Sequence, residues 1–312
     1  MAEPRFSVVI PTHNRAHIIH HTLASVFGQS FTDYEIIVLD DGSTDNTAEV
    51  MTQFEGRVQY VRQVNSGPGA ARNAGAAKAI GQYIAFLDSD DLWFPWTLAT
   101  FDKAIRDCGS PAMLLGTQRN FRREGDIKEV ERGELGTLRF EDYFGSVGVH
   151  DFFAATGNLV VKRSEFEKTT GFPTKVRCSE DAHFMLLNGK MPGFCGITSP
   201  FTYALRRSEE KRVTNETKSC VEGAIFLCRQ ERLGQYPGGK GSRRSRLKFI
   251  CDLASDSSLS CVSNGVFSGG YQIYWNIWRW QLRRHQLNYV LGFHCAAGMS
   301  VLRKVRGVVR GR

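Results

Sequence analysis

No aspartate or glutamate follows Asp256 in this 312-residue chain, and no two cysteines stand at CxxC spacing. No apolar run approaches the ~18 residues that a membrane span requires. None of the eight cysteines pairs with a histidine at zinc-finger spacing, which leaves reduced, mostly buried thiols in a cytosolic protein as the simplest reading. A signal-peptide layout is missing too, because the apolar residues 6–10 end at once in Pro11-Thr12-His13-Asn14. Together these absences point to a cytoplasmic protein. Charged residues at 23% and hydrophobic ones at 42% argue against wholesale disorder, and the length suggests one large domain plus an extension.

The shortage of acid is local. The chain has 40 Lys+Arg against 32 Asp+Glu, a net charge of +8. Beyond Asp256 stand eight cations: Arg279, Arg283, Arg284, Arg303, Lys304, Arg306, Arg310 and Arg312. Subtracting these from 40 leaves 32, so the body is formally neutral and the whole excess lies in the tail. That asymmetry speaks for one localised anionic partner and against nucleic acid.

The first hundred residues alternate strand and helix signals. Residues 6–10, 34–39, 58–61 and 83–87 read as buried strands. Between them, residues 16–28 carry Ile18, Ile19, Leu23 and Val26 at helical spacing, Ser43 or Thr44 can cap a helix reaching about Phe54, and residues 69–79 suit a closely packed helix. Pro95 suits the first turn of a helix to about Arg106. Such units imply an α/β fold with a single, mostly parallel, Rossmann-like sheet flanked by helices. Ligands of these sheets bind beyond the carboxyl ends of the strands. Polar clusters fall at four such ends: 12–15, 40–45, 65–69 and 88–91.

Further along, residues 112–116 and 158–161 look like strands, with a polar hairpin or loop at 119–134 between them. A helix begins near Ser179-Glu180-Asp181, and a composition shift at 206–218 marks a boundary. Beyond it come a helix near 221–233, a flexible basic loop at 238–246 and the basic tail. Asn215-Glu216-Thr217 fits a glycosylation acceptor, which a cytosolic location makes irrelevant.

Asp88, Asp90 and Asp91 lie within four residues. At ~4 Å each carboxylate pair costs about 1 kcal/mol in water and about 4 kcal/mol at an intermediate dielectric. A divalent cation removes that cost, and magnesium or manganese takes carboxylate and phosphate oxygens. An acidic turn capping the next helix is the plainer alternative, but the position after an apolar strand favours metal binding. Either Asp40 or Asp41 can accept a hydrogen bond from a base or a ribose hydroxyl. The glycine-rich residues 65–73 open a helix whose amides, with Arg72, can face a diphosphate. His13, His17 and His21 lie four apart; a solvent-facing stripe is favoured over a zinc site.

Pro11-Thr12-His13-Asn14-Arg15, Asp40-Asp41-Gly42-Ser43-Thr44-Asp45, Gly69-Ala70-Ala71-Arg72-Asn73-Ala74-Gly75, Asp88-Ser89-Asp90-Asp91-Leu92-Trp93 with Pro95, and Glu180-Asp181 together resemble the family-2 glycosyltransferases. The resemblance covers about residues 5–205 and implies an inverting enzyme of the GT-A fold. Taken with the composition shift, it gives a domain at 1–210 (a nucleotide-sugar half, 1–100, and an acceptor half, 101–210), and the residues beyond read as a helical basic extension at 211–312. Pro11, His13 and Asp41 would line the nucleotide-base pocket with Arg72 nearby, and Asp88 would approach the ribose. Asp90 with Asp91 would hold manganese or magnesium on the diphosphate of a UDP-sugar. Asp181 would be the catalytic base. His13 stands where the family often has an aromatic, and His183, two residues past the base, can touch acceptor or metal or simply lie on the helix surface.

In the tail, Tyr271, Tyr274, Trp275, Trp278 and Leu282 recur at helical spacing with arginines interleaved, within a helix expected over 271–293. This suits an anionic membrane interface, against the alternative of packing on the catalytic domain. A glycan or lipid-linked acceptor at the inner face of the cytoplasmic membrane, as in cell-surface polysaccharide or lipopolysaccharide assembly, follows from the family's usual reactions plus that tail. Two competing readings are a sugar nucleotidyltransferase and a non-catalytic nucleotide-sugar-binding protein. The first would carry a glycine-rich, lysine-containing loop straight after the first strand, where residues 11–15 have no glycine.

Overall fold

The structure is a computed structural model that describes residues 3–122, 125–150, 152, 155–207 and 217–310, with the backbone alone for 128 and 301–310. The boundary expected near residue 210, Asn215 with Glu216, and the side chains of the last five tail cations lie outside the described residues. The chain divides into two compact units: Met1–Lys175 with Glu180–Glu209, and Val176–Ser179 with Glu210–Arg312.

The first unit is built on one sheet. Its strands are β1 (Phe6–Thr12), β2 (Tyr34–Asp40), β3 (Gln59–Arg62), β4 (Tyr83–Phe86), β5 (Leu92–Trp93), β6 (Met113–Phe121), β7 (Gly136–Phe140), β8 (Leu159–Lys162) and β9 (Phe194–Arg206). They lie in the order β3-β2-β1-β4-β8-β6-β9-β5, with β7 on β9. β1 is buried along its whole length, as expected of a strand covered on both faces. The parallel part is β3-β2-β1-β4 plus β6 on β9; β8 runs antiparallel to β4 and β6, and β9 antiparallel to β5 and β7. The sheet is therefore mixed, with its parallel character concentrated in the first half.

Four helices follow the first strands: α1 (Ile19–Phe27), α2 (Thr47–Thr52), α3 (Pro68–Ala76) and α4 (Thr97–Asp107). Ile19, Thr22, Leu23 and Val26 turn inward from α1, giving the 3.6-residue stripe that its sequence shows. Short helical turns α5 (Gly125–Lys128), α6 (Tyr143–Ser146) and α7 (Arg163–Phe166) precede α8 (Glu180–Leu187). The expected cap of α2 is corrected: Asn46, not Ser43 or Thr44, is its N-cap and makes no side-chain cap bond, while Asp45 before it accepts from the Thr47 amide at 3.1 Å and the Ser43 hydroxyl takes the Asn14 amide at 2.9 Å.

These directions position the polar clusters. Because β1 pairs with β2 through Thr12 and Asp40, their carboxyl ends reach the same edge. β8 runs antiparallel to β4 with Val160 opposite Ala85, so the chain entering β8 arrives beside the chain leaving β4. β9 meets β5 with Tyr203 opposite Trp93, which brings its last residues to the same turn. Gly157 permits that approach, since a Cβ there would sit 2.1 Å from the Tyr203 ring.

The second unit contains α9 (Thr217–Arg232), α10 (Arg243–Ser263), α11 (Phe267–Arg283) and α12 (Leu287–Arg310). Residues 238–246 are not simply a flexible basic loop. α10 starts within them, and Arg246 is buried against Glu231, donating at 2.8 and 3.2 Å to its two carboxylate oxygens. The helix expected over 271–293 is two helices, parted at His285, whose φ is 59°.

Candidate functional site

Asp40 and Asp41 end β2 with different surroundings. Asp40 is wholly buried and accepts from the Ser43 amide at 2.8 Å and the Tyr60 hydroxyl at 2.5 Å, which fixes the turn after the strand. The Asp41 carboxylate takes the amides of Ser66 and Gly67, each at 2.8 Å, and the Gln63 side-chain amide at 2.7 Å. Those two amides lead into α3, where a negative charge is favoured by the helix dipole, and Gly67 reaches φ 90° to aim them. Two of the glycine-rich amides expected to face a diphosphate thus hold an internal carboxylate. Pro11 is buried in β1 opposite Leu39. His13 is exposed, and both its ring nitrogens lie 3.3 Å from the Asn65 amide nitrogen. His13 ends up beyond β1 and His17 before α1, so the three spaced histidines do not form a stripe on one helix.

Arg72 sits deeper than its expected place near a base pocket. Its guanidinium, buried in α3, donates to Asp88 at 2.7 Å, to Glu180 at 2.7 Å and to the Thr156 hydroxyl at 2.9 Å. Burial disfavours its charge, but the two carboxylates outweigh this and raise its pKa above the ordinary arginine value. Thr156 also contacts Asp88 at 3.1 Å. One cation therefore joins the turn after β4 to the first residue of α8.

Asp90 and Asp91, expected to share one metal, are separated by their surroundings. The Asp91 carboxylate is buried, accepting from the Tyr203 hydroxyl and from the Arg206 amide at 2.7 Å. Burial and the Asp91 charge push the Tyr203 phenol well above its ordinary pKa. The main chain of Asp91 is tied down as well, its carbonyl taking the Thr22 hydroxyl at 2.9 Å. Asp90 lies nearer solvent, 3.6 Å from the Arg15 guanidinium, and its carbonyl accepts from Arg206 at 2.9 Å. Among the described residues no three His, Cys, Asp or Glu side chains gather as a metal-binding group. The donor set at this turn fits a hard cation that takes one carboxylate, from Asp90, and its remaining oxygens from a phosphate ligand.

Asp181 follows Glu180 in the first turn of α8. Burial raises its pKa first, and the Glu180 charge adds to that; the Ala182 amide, donating at 2.7 Å, and Arg72 pull the other way. The balance pushes the carboxyl up to about 7, the range in which a carboxylate can accept a proton and later release it at neutral pH. His183 is not on the helix surface. It is buried, and burial pushes its pKa down to about 4, so the ring is neutral.

Several members of this cluster were not singled out in the sequence: Thr156, Tyr203, Arg206, Gln63, and Glu180 as the partner of Arg72. None belongs to a recognisable spacing with the residue it holds. Trp93 shows the same long reach, its indole N–H donating to the Gly157 carbonyl at 2.9 Å.

A family model described as Glycosyl transferase family 2 matches residues 7–169. Over 173 residues the chain is 42% identical to an uncharacterized glycosyltransferase of Nostoc sp., an alignment covering 53% of this chain and 52% of that protein. A putative teichuronic acid biosynthesis glycosyltransferase of Bacillus subtilis is 42% identical over 96 residues, 29% of this chain and 38% of the relative. The chain thus spans about half the length of the first relative and less of the second. The crystal structure of S. aureus TarS 1–349 in complex with UDP-GlcNAc superposes with a TM-score of 0.62 at 18% identity, covering 88% of this chain and 79% of that one. That likeness is one of fold.

Proposed function

This chain belongs to glycosyl transferase family 2, and from that premise we propose that it is an inverting glycosyltransferase of the GT-A fold. It moves a sugar from a nucleoside-diphosphate sugar, a UDP-sugar on this reading, to a hydroxyl of a glycan or lipid-linked acceptor. The observation that carries the proposal is the buried Arg72 guanidinium, which ties Asp88 at the donor end to Glu180, next to an Asp181 carboxyl pushed up to about 7.

An acceptor hydroxyl is a poor nucleophile, so a base must take its proton as the oxygen attacks C1. Asp181 takes that role. The nucleoside diphosphate departs from the opposite face, which inverts the anomeric centre. Pro11, His13 and Asp41 form the base pocket and Asp88 faces the ribose, in a nucleotide-sugar half (1–100) distinct from an acceptor half (101–210). Manganese or magnesium, held by Asp90 and the donor's phosphates, supplies positive charge to the diphosphate when bound. Asp91 holds the turn that presents Asp90. The teichuronic acid relative and the UDP-GlcNAc complex of TarS support a polysaccharide role and a UDP donor. A lipid-linked acceptor would place the reaction at the inner face of the cytoplasmic membrane.

Incubation with a panel of UDP-sugars, with and without chelator, tests the reading. Metal-dependent release of UDP supports it. Release of pyrophosphate from a sugar phosphate and a nucleoside triphosphate would replace it with nucleotidyl transfer, and donor binding without turnover in the presence of acceptor glycans would leave only a binding protein.

A further inference from the structure

α12 is apolar on two opposite sides. Tyr289, Phe293 and Ala297, four residues apart, face inward and pack with Val262 of α10 and Tyr274 of α11. The Tyr274 and Phe293 rings stack at 4.6 Å between centroids, and the Tyr289 hydroxyl meets Ser258 at 2.7 Å. The aromatic stripe that the sequence suggests for a membrane is therefore partly internal to the helical unit, with Tyr274 buried and Tyr271 and Trp278 packed partly against the same cluster. The other side of α12 presents Leu287, Leu291, Cys295 and Met299, again four apart, and all four are exposed, Leu291 to 68%. On α11, Trp275 and Leu282 lie seven apart and share an outward face, Trp275 being 58% exposed. Arg279 and Arg283 are exposed on the same helix.

From these outward faces and the charge around them we infer that α11 and α12 dock flat on an anionic lipid surface. Exposed leucines and a methionine at helical spacing give α12 an apolar outward face, and Trp275 with Leu282 gives α11 another; exposed apolar faces of this kind mark interaction surfaces. Charge selects the occupant. The segment after Asp256 has eight cations and no anion. Of the three whose side chains are described, Arg284 pairs with Asp252 at 2.9 Å while Arg279 and Arg283 are exposed. A second copy of this chain would thus bring like charges together on α11, whereas anionic headgroups neutralise them. Burial is shallow: among the described residues no helix is long and apolar enough to cross a membrane. Interfacial helices of this kind bind through apolar burial and lipid charge together. The inference deepens the proposed function by bringing a lipid-linked acceptor to the active unit; the surface itself stands on the two helices.

Flotation of the full-length protein with phosphatidylcholine vesicles, with and without phosphatidylglycerol, tests it. The protein floats with the anionic vesicles, and raised salt weakens binding. Leu287→Glu with Leu291→Glu lowers partitioning about tenfold or more, through lost apolar burial. Arg279→Glu with Arg283→Glu lowers it at least ~25-fold, at about fivefold per cation removed. Leu233→Glu, a substitution at another exposed leucine, leaves it unchanged. Circular dichroism checks that each variant keeps its helices. Equal flotation with neutral vesicles, no flotation, or wild-type partitioning of the leucine pair overturns the inference. So does light scattering that shows a dimer dissociated by Leu291→Glu, which would make the occupant a second copy. A protein that floats but releases no UDP keeps this inference and loses the transferase reading; the reverse result does the opposite.

Discussion

The two acidic segments, Asp88–Asp91 and Glu180-Asp181, have the same chemistry at the ends of different elements, and within each the carboxylates divide the work. In the first, Asp91 is buried and holds Tyr203 and Arg206, while Asp90 stays nearer solvent beside Arg15. In the second, Glu180 is buried on Arg72, while its neighbour Asp181 keeps a proton affinity suited to neutral pH. Each pair has one carboxylate that fixes the backbone and one that this fixing presents. Adjacent acids in a site need not share a ligand.

The sharpest way to break this comparison is to remove the presented member of the second pair. Asp181→Asn should cut UDP release by about 10³-fold, within the range for general-base removal, and leave donor affinity within about twofold by calorimetry. Activity above a tenth of wild type would assign the base elsewhere. Next in size is Asp91→Ala, which leaves a buried phenol and a backbone amide without their acceptor and should lower stability by about 3 kcal/mol in urea unfolding. Asp90→Ala should change stability by less than about 1 kcal/mol while abolishing metal-dependent turnover. Equal stability losses would erase the distinction between the two. Smallest is Arg15→Gln, whose part-exposed pair with Asp90 is worth under about 1 kcal/mol; its effect should fall on the apparent metal affinity rather than on unfolding.

Much of the first hundred residues is legible in sequence because each strand and helix there carries its own pattern over a short window. β9 is not. Its thirteen residues include Gly196 and Pro200, which read as breaks, and only its pairing with β5, β6 and β7 holds it extended. β9 carries Tyr203 and Arg206, and with them the reason Asp91 turns inward. α10 escaped for a different reason: its buried face includes Ser255 and Ser258, so the apolar spacing is weak. Of the two places open to His183, the helix surface fails because α8 is buried on most sides, with Glu180, Ala182, Phe184, Met185 and Leu186 also inside. In the candidate site the motifs marked where to look. The roles of neighbouring acids followed from partners distant in sequence, such as Thr156 and Arg72, which no local spacing reveals.

The pH dependence of UDP release in wild type and Glu180→Gln tests the central claim most directly. An Asp181 base works only when ionised, so the wild-type rate should fall about tenfold per pH unit below an acid limb near 7. The Glu180 charge helps hold that limb up; removing it leaves Arg72 less neutralised and should move the limb to lower pH. An acid limb at the same pH in both proteins would contradict the account.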